Sequence, residues 1–135
     1  METAVAHTAK IFSEAEDNKN IKIQIFDTGV FPSRRNARIL WLGLQDEKHS
    51  LSKINQLLET ECAKIGFEKE KRNFKPHLTI ARLREPHKSE DLAAKHLENE
   101  FEPVEFEVSE IVIYESKLLP TGSIYRKLKS FRFDE

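Results

Sequence analysis

The sequence predicts an α+β fold with largely antiparallel sheets and helices on their outer faces. Apolar residues switch between helical and strand spacing in the order helix, strand, strand, helix, strand, helix, strand, strand. Hairpins join strands, and there is neither a long βαβ series nor a Gly-rich phosphate loop. At 135 residues the chain has room for one domain, residues 1–135, built on a single core.

Val5, Ala9, Phe12 and Glu16 form one helical stripe from Thr3 to about Glu16, with Thr8, Ile11 and Ala15 beside it. The polar stretch Asp17-Asn18-Lys19-Asn20 ends that helix. Ile21, Ile23 and Ile25 then alternate with Lys22 and Gln24, the pattern of a strand with one wet face, and Gly29 and Pro32 close it. Ile39 to Leu44 is a continuous apolar run, as expected of a central strand covered on both faces. Leu51, Ile54, Leu58, Cys62 and Ile65 recur at helical spacing with Leu57 beside them, and Gly66 offers the left-handed residue that terminates a helix.

Phe74 to Leu83 reads as a strand entered through Pro76, whose missing N–H costs no ladder bond at the first position. Lys88 to about Asn99 reads as a helix, with Ser89 as N-cap and Glu90 and Asp91 in the first turn. Val104, Phe106 and Val108 alternate, and Ile111 to Tyr114 forms another strand. A turn over 118–123 leads to Tyr125–Phe133 and completes a hairpin.

Composition narrows the function classes. Hydrophobic residues at 39% and charged residues at 33% suit a soluble globular chain and argue against overall disorder. With 22 Lys and Arg against 23 Asp and Glu, no global field draws the protein to nucleic acid or membrane, so any RNA contact must be local. Two basic clusters, Arg34, Arg35 and Arg38, and Lys69, Lys71, Arg72 and Lys75, read as solvated loop charges when taken alone. Cys62 is the one cysteine, which excludes an internal disulfide, and its helical position predicts a buried thiol. No apolar run approaches the roughly 20 residues of a membrane span, and METAVAHTAK lacks a signal-peptide core, so a cytoplasmic protein is expected.

The residues with chemistry to offer are His77 and Thr79. Two apart on a strand, they share a face, while Leu78 and Ile80 turn the other way into the core. An imidazole moves protons near neutral pH and a hydroxyl donates to a phosphate oxygen, which together suit phosphoryl chemistry. A two-residue pattern is weak by itself, since most copies are strands with a satisfied polar face. His49, His87 and His96 have no tight metal-ligand spacing and are assigned to helix ends or solvent, and His7 to a helix surface. No metal site is expected.

Gly29-Val30-Phe31-Pro32-Ser33, the strand Arg38 to Leu44, the helix ending Ile65-Gly66-Phe67, the segment Phe74 to Arg82 and the tail from Glu107 to Phe133 occur in one order and spacing. That pattern, over essentially the whole chain, resembles the bacterial and archaeal RNA 2′,3′-cyclic phosphodiesterase (2′-5′ RNA ligase) family of the two-histidine phosphoesterase superfamily. The resemblance implies two pseudo-symmetric α+β lobes around a cleft and a reaction free of metal and cofactor. Two His-x-Thr motifs face an RNA 2′,3′-cyclic phosphate in such enzymes; one histidine activates water and the other protonates the departing 3′ oxygen, leaving a 2′-phosphate. In reverse the chemistry makes a 2′-5′ linkage.

By that likeness His77 is the water-activating base and Thr79 holds a phosphate oxygen. Arg82 clamps the phosphate, although strict alternation puts it on the face opposite His77, so a bulge or the strand end must redirect it. Phe31 either stacks on a base or ribose or anchors its loop. The family's first His-x-Thr motif belongs just before the first helix, where this chain reads Met1-Glu2-Thr3, so the fold is expected to be N-terminally incomplete and the acid–base pair halved. The implied partners are RNA ends or 2′,3′-cyclic nucleotides, with no membrane, and a homodimer through an incomplete sheet edge. The competing readings are a non-catalytic module for RNA ends or phosphate, and a protein interaction domain on the same scaffold.

Overall fold

The computed structural model describes residues 1–16 and 20–134. Most of the polar stretch expected to end the first helix, residues 17–19, lies outside the described residues. The elements are α1 (Glu2–Glu16), β1 (Ile21–Phe31), β2 (Ile39–Gln45), α2 (Ser50–Lys64), β3 (His77–Arg82), α3 (Glu90–Glu98), β4 (Val104–Val108), β5 (Glu110–Leu119) and β6 (Gly122–Arg132). This is the α+β order read from the spacing with one strand added: three strands, not two, follow the last helix. One sheet runs β3-β2-β1-β4 and a second is the β5-β6 hairpin; the β1/β2, β2/β3 and β5/β6 pairs are antiparallel. Among the described residues no helix is long and apolar enough to cross a membrane.

The chain divides into two compact units. The first comprises Met1–Ile21, His49–Phe74 and Glu107–Glu135. In it α1 packs on α2 and on the hairpin, burying Val5, Ala9 and Phe12 of the stripe that the helical spacing picked out, together with Ala4, while Ala15 beside that stripe is exposed. Phe12 meets Phe133 at 5.2 Å between ring centroids. Thr8 is fully buried, and its hydroxyl is satisfied by donating to the Ala4 carbonyl at 2.9 Å.

Along α2, Ile54 and Ser50 are buried, and Gly66 has the expected positive φ of 100°. Cys62 is only half-buried, with its sulfur 3.9 Å from that of Met1, which corrects the expectation of a buried thiol. Its helical stripe meets solvent toward the C-terminus, where Ile65 is exposed. His7 is an exposed helix residue, as expected, and its Nδ1 donates to Glu61 at 2.9 Å. Lys64, at 2.7 Å, and His7 hold the Glu61 carboxyl below the usual carboxylate range.

The hairpin outruns its alternating sequence: β5 continues to Leu119, which pairs with Gly122 across a two-residue turn. Gly122 takes φ 134°, open to glycine and strained for a side chain.

The second unit comprises Lys22–Lys48 and Lys75–Phe106. Its β2 is an interior strand with Leu40 and Trp41 both buried, on opposite faces, as the unbroken apolar run implied. The back face presents the cross-strand row Val30, Leu40 and Ala81. These pack with Ala37, Leu83 and Ala93 of α3 in one apolar cluster. Lys88 belongs to a 3-10 turn, so α3 starts at Glu90. Ser89 precedes the helix, but its hydroxyl donates backward to the Glu85 carbonyl at 3.0 Å rather than capping a helix N–H.

His96 lies in the last turn of α3, the helix-end placement its sequence position suggested, but it is not given to solvent. It is half-buried on α3, and its Nε2–H points at the carbonyls of Gly29 (3.0 Å) and Trp41 (2.9 Å), which tie the helix to the two central strands. A second correction concerns Leu78 and Ile80, which are 40% and 54% exposed rather than core. They lie on the edge strand β3, away from the cluster around Leu40 and Ala93.

Phe12→Ala removes a fully buried ring from the first unit and should destabilise the protein by about 3–5 kcal/mol, read as a lowered denaturant midpoint with an unchanged slope.

Candidate active site

The front face of the four-stranded sheet is set out by β2, on which Ile39, Trp41 and Gly43 alternate to one side. Their partners give three rows: Phe31, Ile39 and Arg82; Gly29, Trp41 and Thr79; Asp27, Gly43 and His77. His77, Thr79, Arg82 and Phe31 therefore all stand on one face.

Arg82 is there because β3 contains a bulge, one of the two ways left open for bringing it to the His77 face. Thr79 pairs with Trp41 and Ala81 with the adjacent Leu40, so Ile80 is an extra residue that reverses the parity of everything after it. A similar slip at Phe26 in β1 brings Asp27, Gly29 and Phe31 forward, whereas Ile21, Ile23 and Ile25 follow the back-face parity. This is why β1 runs on to Phe31 although its alternating signature stops at Ile25.

His77 is exposed, and its Nδ1 lies 2.7 Å from the Lys75 carbonyl. A carbonyl only accepts, so Nδ1 carries the proton; in the neutral ring the lone pair is then on Nε2, a base available to a ligand. The imidazole meets Phe31 edge-on at 5.0 Å between centroids and has Trp41 at 6.2 Å. Phe31 and Trp41 are themselves 5.2 Å apart. Phe31 is thus a strand residue, half-buried between Trp41 and His77, rather than a loop anchor. Thr79 and Arg82 are exposed, and among the described residues no carboxylate pairs with Arg82.

Two glycines make this face possible. A Cβ on Gly29 would fall among the indole atoms of Trp41, and one on Gly43 would strike the Asp27 carboxylate. Asp27 Oδ1 and Trp41 Nε1 are both buried, without a hydrogen-bond partner among the described residues.

Trp41 is buried, as its apolar run implies, but Lys75 is more than a solvated charge: its ammonium lies 4.6 Å over the Trp41 ring. Isolated glycines inside two apolar strands are the signal that marks such close approach. The other basic residues do fit the solvated reading. Arg34 and Arg35 share a shallow hollow with Glu90 and Asp91, and Lys69, Lys71 and Arg72 share one with Glu59, Glu68 and Glu70.

Gly29→Ala should force the Trp41 ring aside at a cost of about 1–3 kcal/mol. Since Trp41 is the one tryptophan, the change should appear as a shifted emission spectrum together with a lower melting temperature.

The sequence matches the family model described as LigT-like phosphoesterase across residues 42–125, more than half of the chain. It is 37% identical over 114 residues to an RNA 2′,3′-cyclic phosphodiesterase of Methanothermobacter thermautotrophicus, covering 82% of this chain and 60% of that protein. The counterpart from Methanocaldococcus jannaschii is 33% identical over 114 residues, again 82% of this chain and 63% of that protein. The chain thus spans about three fifths of the length of the curated relatives it matches. Among solved structures, a protein of Thermus thermophilus superposes with a TM-score of 0.68 at 20% identity, over 98% of this chain and 67% of that one. The E. coli LigT complexed with 3′-AMP gives 0.60 at 20% identity, over 97% and 67%. These likenesses carry the fold, and the family match carries the assignment: the chain belongs to the LigT-like phosphoesterases.

Proposed function

We propose that the front face acts on RNA 2′,3′-cyclic phosphate ends, with His77 as the base that activates water. The observation that carries this reading is the hydrogen bond from His77 Nδ1 to the Lys75 carbonyl, with an exposed hydroxyl in the next row and an exposed guanidinium in the row beyond it. Nε2 accepts a proton from water as the water oxygen attacks phosphorus. The P–O3′ bond breaks, the 3′ oxygen leaves with a proton from a general acid, and a 2′-phosphate remains. Thr79 donates to one phosphate oxygen and Arg82 neutralises charge growing on the others. Phe31, held against Trp41, offers its free surface to the ribose or base. The names of the relatives from Methanothermobacter and Methanocaldococcus support the reaction, and the E. coli LigT complex with 3′-AMP supports a nucleotide as ligand.

A second reading, a module that holds phosphate-terminated RNA without turnover, is favoured by the histidines themselves. His96 is engaged behind the sheet, His7 is paired with Glu61, His49 precedes α2 and His87 sits in a 3-10 turn, so His77 is the one histidine in the three front-face rows. That leaves the base half of an acid–base pair.

His77→Ala separates the readings when hydrolysis of 2′,3′-cyclic AMP and binding of 3′-AMP are measured together. Under the enzymatic reading turnover should fall about 10²–10⁴-fold while 3′-AMP affinity changes far less; turnover that survives the substitution removes His77 as the base. Salt-sensitive binding with no turnover in the unmodified protein establishes the module instead.

Self-association belongs to the same proposal. β3 is an edge strand with Leu78 and Ile80 exposed, a template for pairing with a second copy. Light scattering over a concentration series should show a mass rising from monomer toward dimer, and a constant monomer mass rejects it.

A further inference from the structure

Lys75 holds two positions around the His77 imidazole at once. Its carbonyl accepts the Nδ1 proton of His77 at 2.7 Å, and its ammonium stands 4.6 Å from the centre of the Trp41 ring that flanks the same imidazole. The ring beneath is fixed: Trp41 is 4% exposed, seated over Gly29 and backed by Phe31 at 5.2 Å. The ammonium is the movable part, since Lys75 is exposed and, among the described residues, pairs with no carboxylate.

Arg82 and Lys75 stand at opposite ends of the segment bearing His77 and Thr79. A phosphate bound beside Thr79 then has Arg82 in the adjoining row and the Lys75 ammonium over Trp41, the residue paired with Thr79. A lysine ammonium is a compact charge on a flexible stem, and its attraction to an aromatic face at an exposed site is weak beside a charge-assisted hydrogen bond to a phosphate oxygen. A phosphate arriving at this face therefore outcompetes the ring for Lys75.

We propose that Lys75 is a second phosphate-binding cation of the His77 face, resting on the Trp41 ring and passing to the phosphate of an incoming RNA end, in addition to Arg82. This deepens the reading of that face as a phosphate site and rests on it. It also gives the site its own reporter, because the ring that Lys75 leaves is the chain's single tryptophan.

The test titrates the full chain with 2′-AMP, inorganic phosphate and adenosine, following tryptophan emission and, separately, the heat of binding. The unmodified protein should bind 2′-AMP with a change in emission, inorganic phosphate should cause a change of the same sign, and adenosine none. Lys75→Met should bind 2′-AMP about tenfold more weakly, the factor carried by one charge-assisted contact, and without the emission change. Lys75→Arg should restore both. If Lys75→Met binds 2′-AMP as tightly as the unmodified protein and with the same emission change, Lys75 is not a phosphate ligand although the site stands. If adenosine alone reproduces the signal, the ring reports base stacking and the proposal falls. If neither 2′-AMP nor phosphate releases heat with the unmodified chain, the phosphate-site reading fails and takes this proposal with it.

Discussion

The front face depends on one close approach, the indole of Trp41 lying against the bare backbone of Gly29. With no Cβ beneath it, the ring settles onto the sheet instead of standing off it, and three other groups take their places around it. Phe31 packs on one side, the His77 imidazole on another, and the Lys75 ammonium above. Interiors packed at crystal-like density transmit such a displacement to every neighbour. An aromatic floor of this kind fixes the orientation of the imidazole without using any of its hydrogen bonds.

The back of the same two residues serves a separate purpose. The carbonyls of Gly29 and Trp41 both accept from His96 on α3, so the pair that shapes the front face also anchors the helix behind it. Buried polar contacts of this sort fix a unique arrangement more than they add stability, because a helix displaced by one turn would leave the imidazole N–H unpaired. Position on the helix and position of the indole are in this way set by the same cross-strand pair.

Much of this was legible in the residues. Helical stripes in α1 and α2 and the apolar run of β2 follow from burial on one or two faces, and burial leaves a direct imprint on spacing. His77 and Thr79 shared a face by simple alternation. What the spacing hid was where a strand takes an extra residue; a bulge before Arg82 was raised only because the family likeness put that arginine beside His77. Phe26 and Ile80 each interrupt the ladder, and a parity change leaves no mark in composition, so the forward-facing Asp27, Gly29 and Phe31 could not be read from Ile21, Ile23 and Ile25. His96 was missed for a different reason: its partners are main-chain carbonyls from strands more than fifty residues away, and such partners have no sequence signature. Leu78 and Ile80 were assigned to the core because alternation specifies a direction, whereas burial also requires something on that side to cover them.

The slip at Ile80 makes the strand sensitive to count rather than to kind. The side chain at that position is half open to water and sits outside the paired ladder, so many residue types would serve there equally well. Removing the position altogether would restore perfect alternation and, in doing so, carry the Arg82 guanidinium to the helix side of the sheet. A variant library of this segment would thus tolerate almost any letter at 80 and reject the gap, so a residue that contacts little sets where the arginine is delivered.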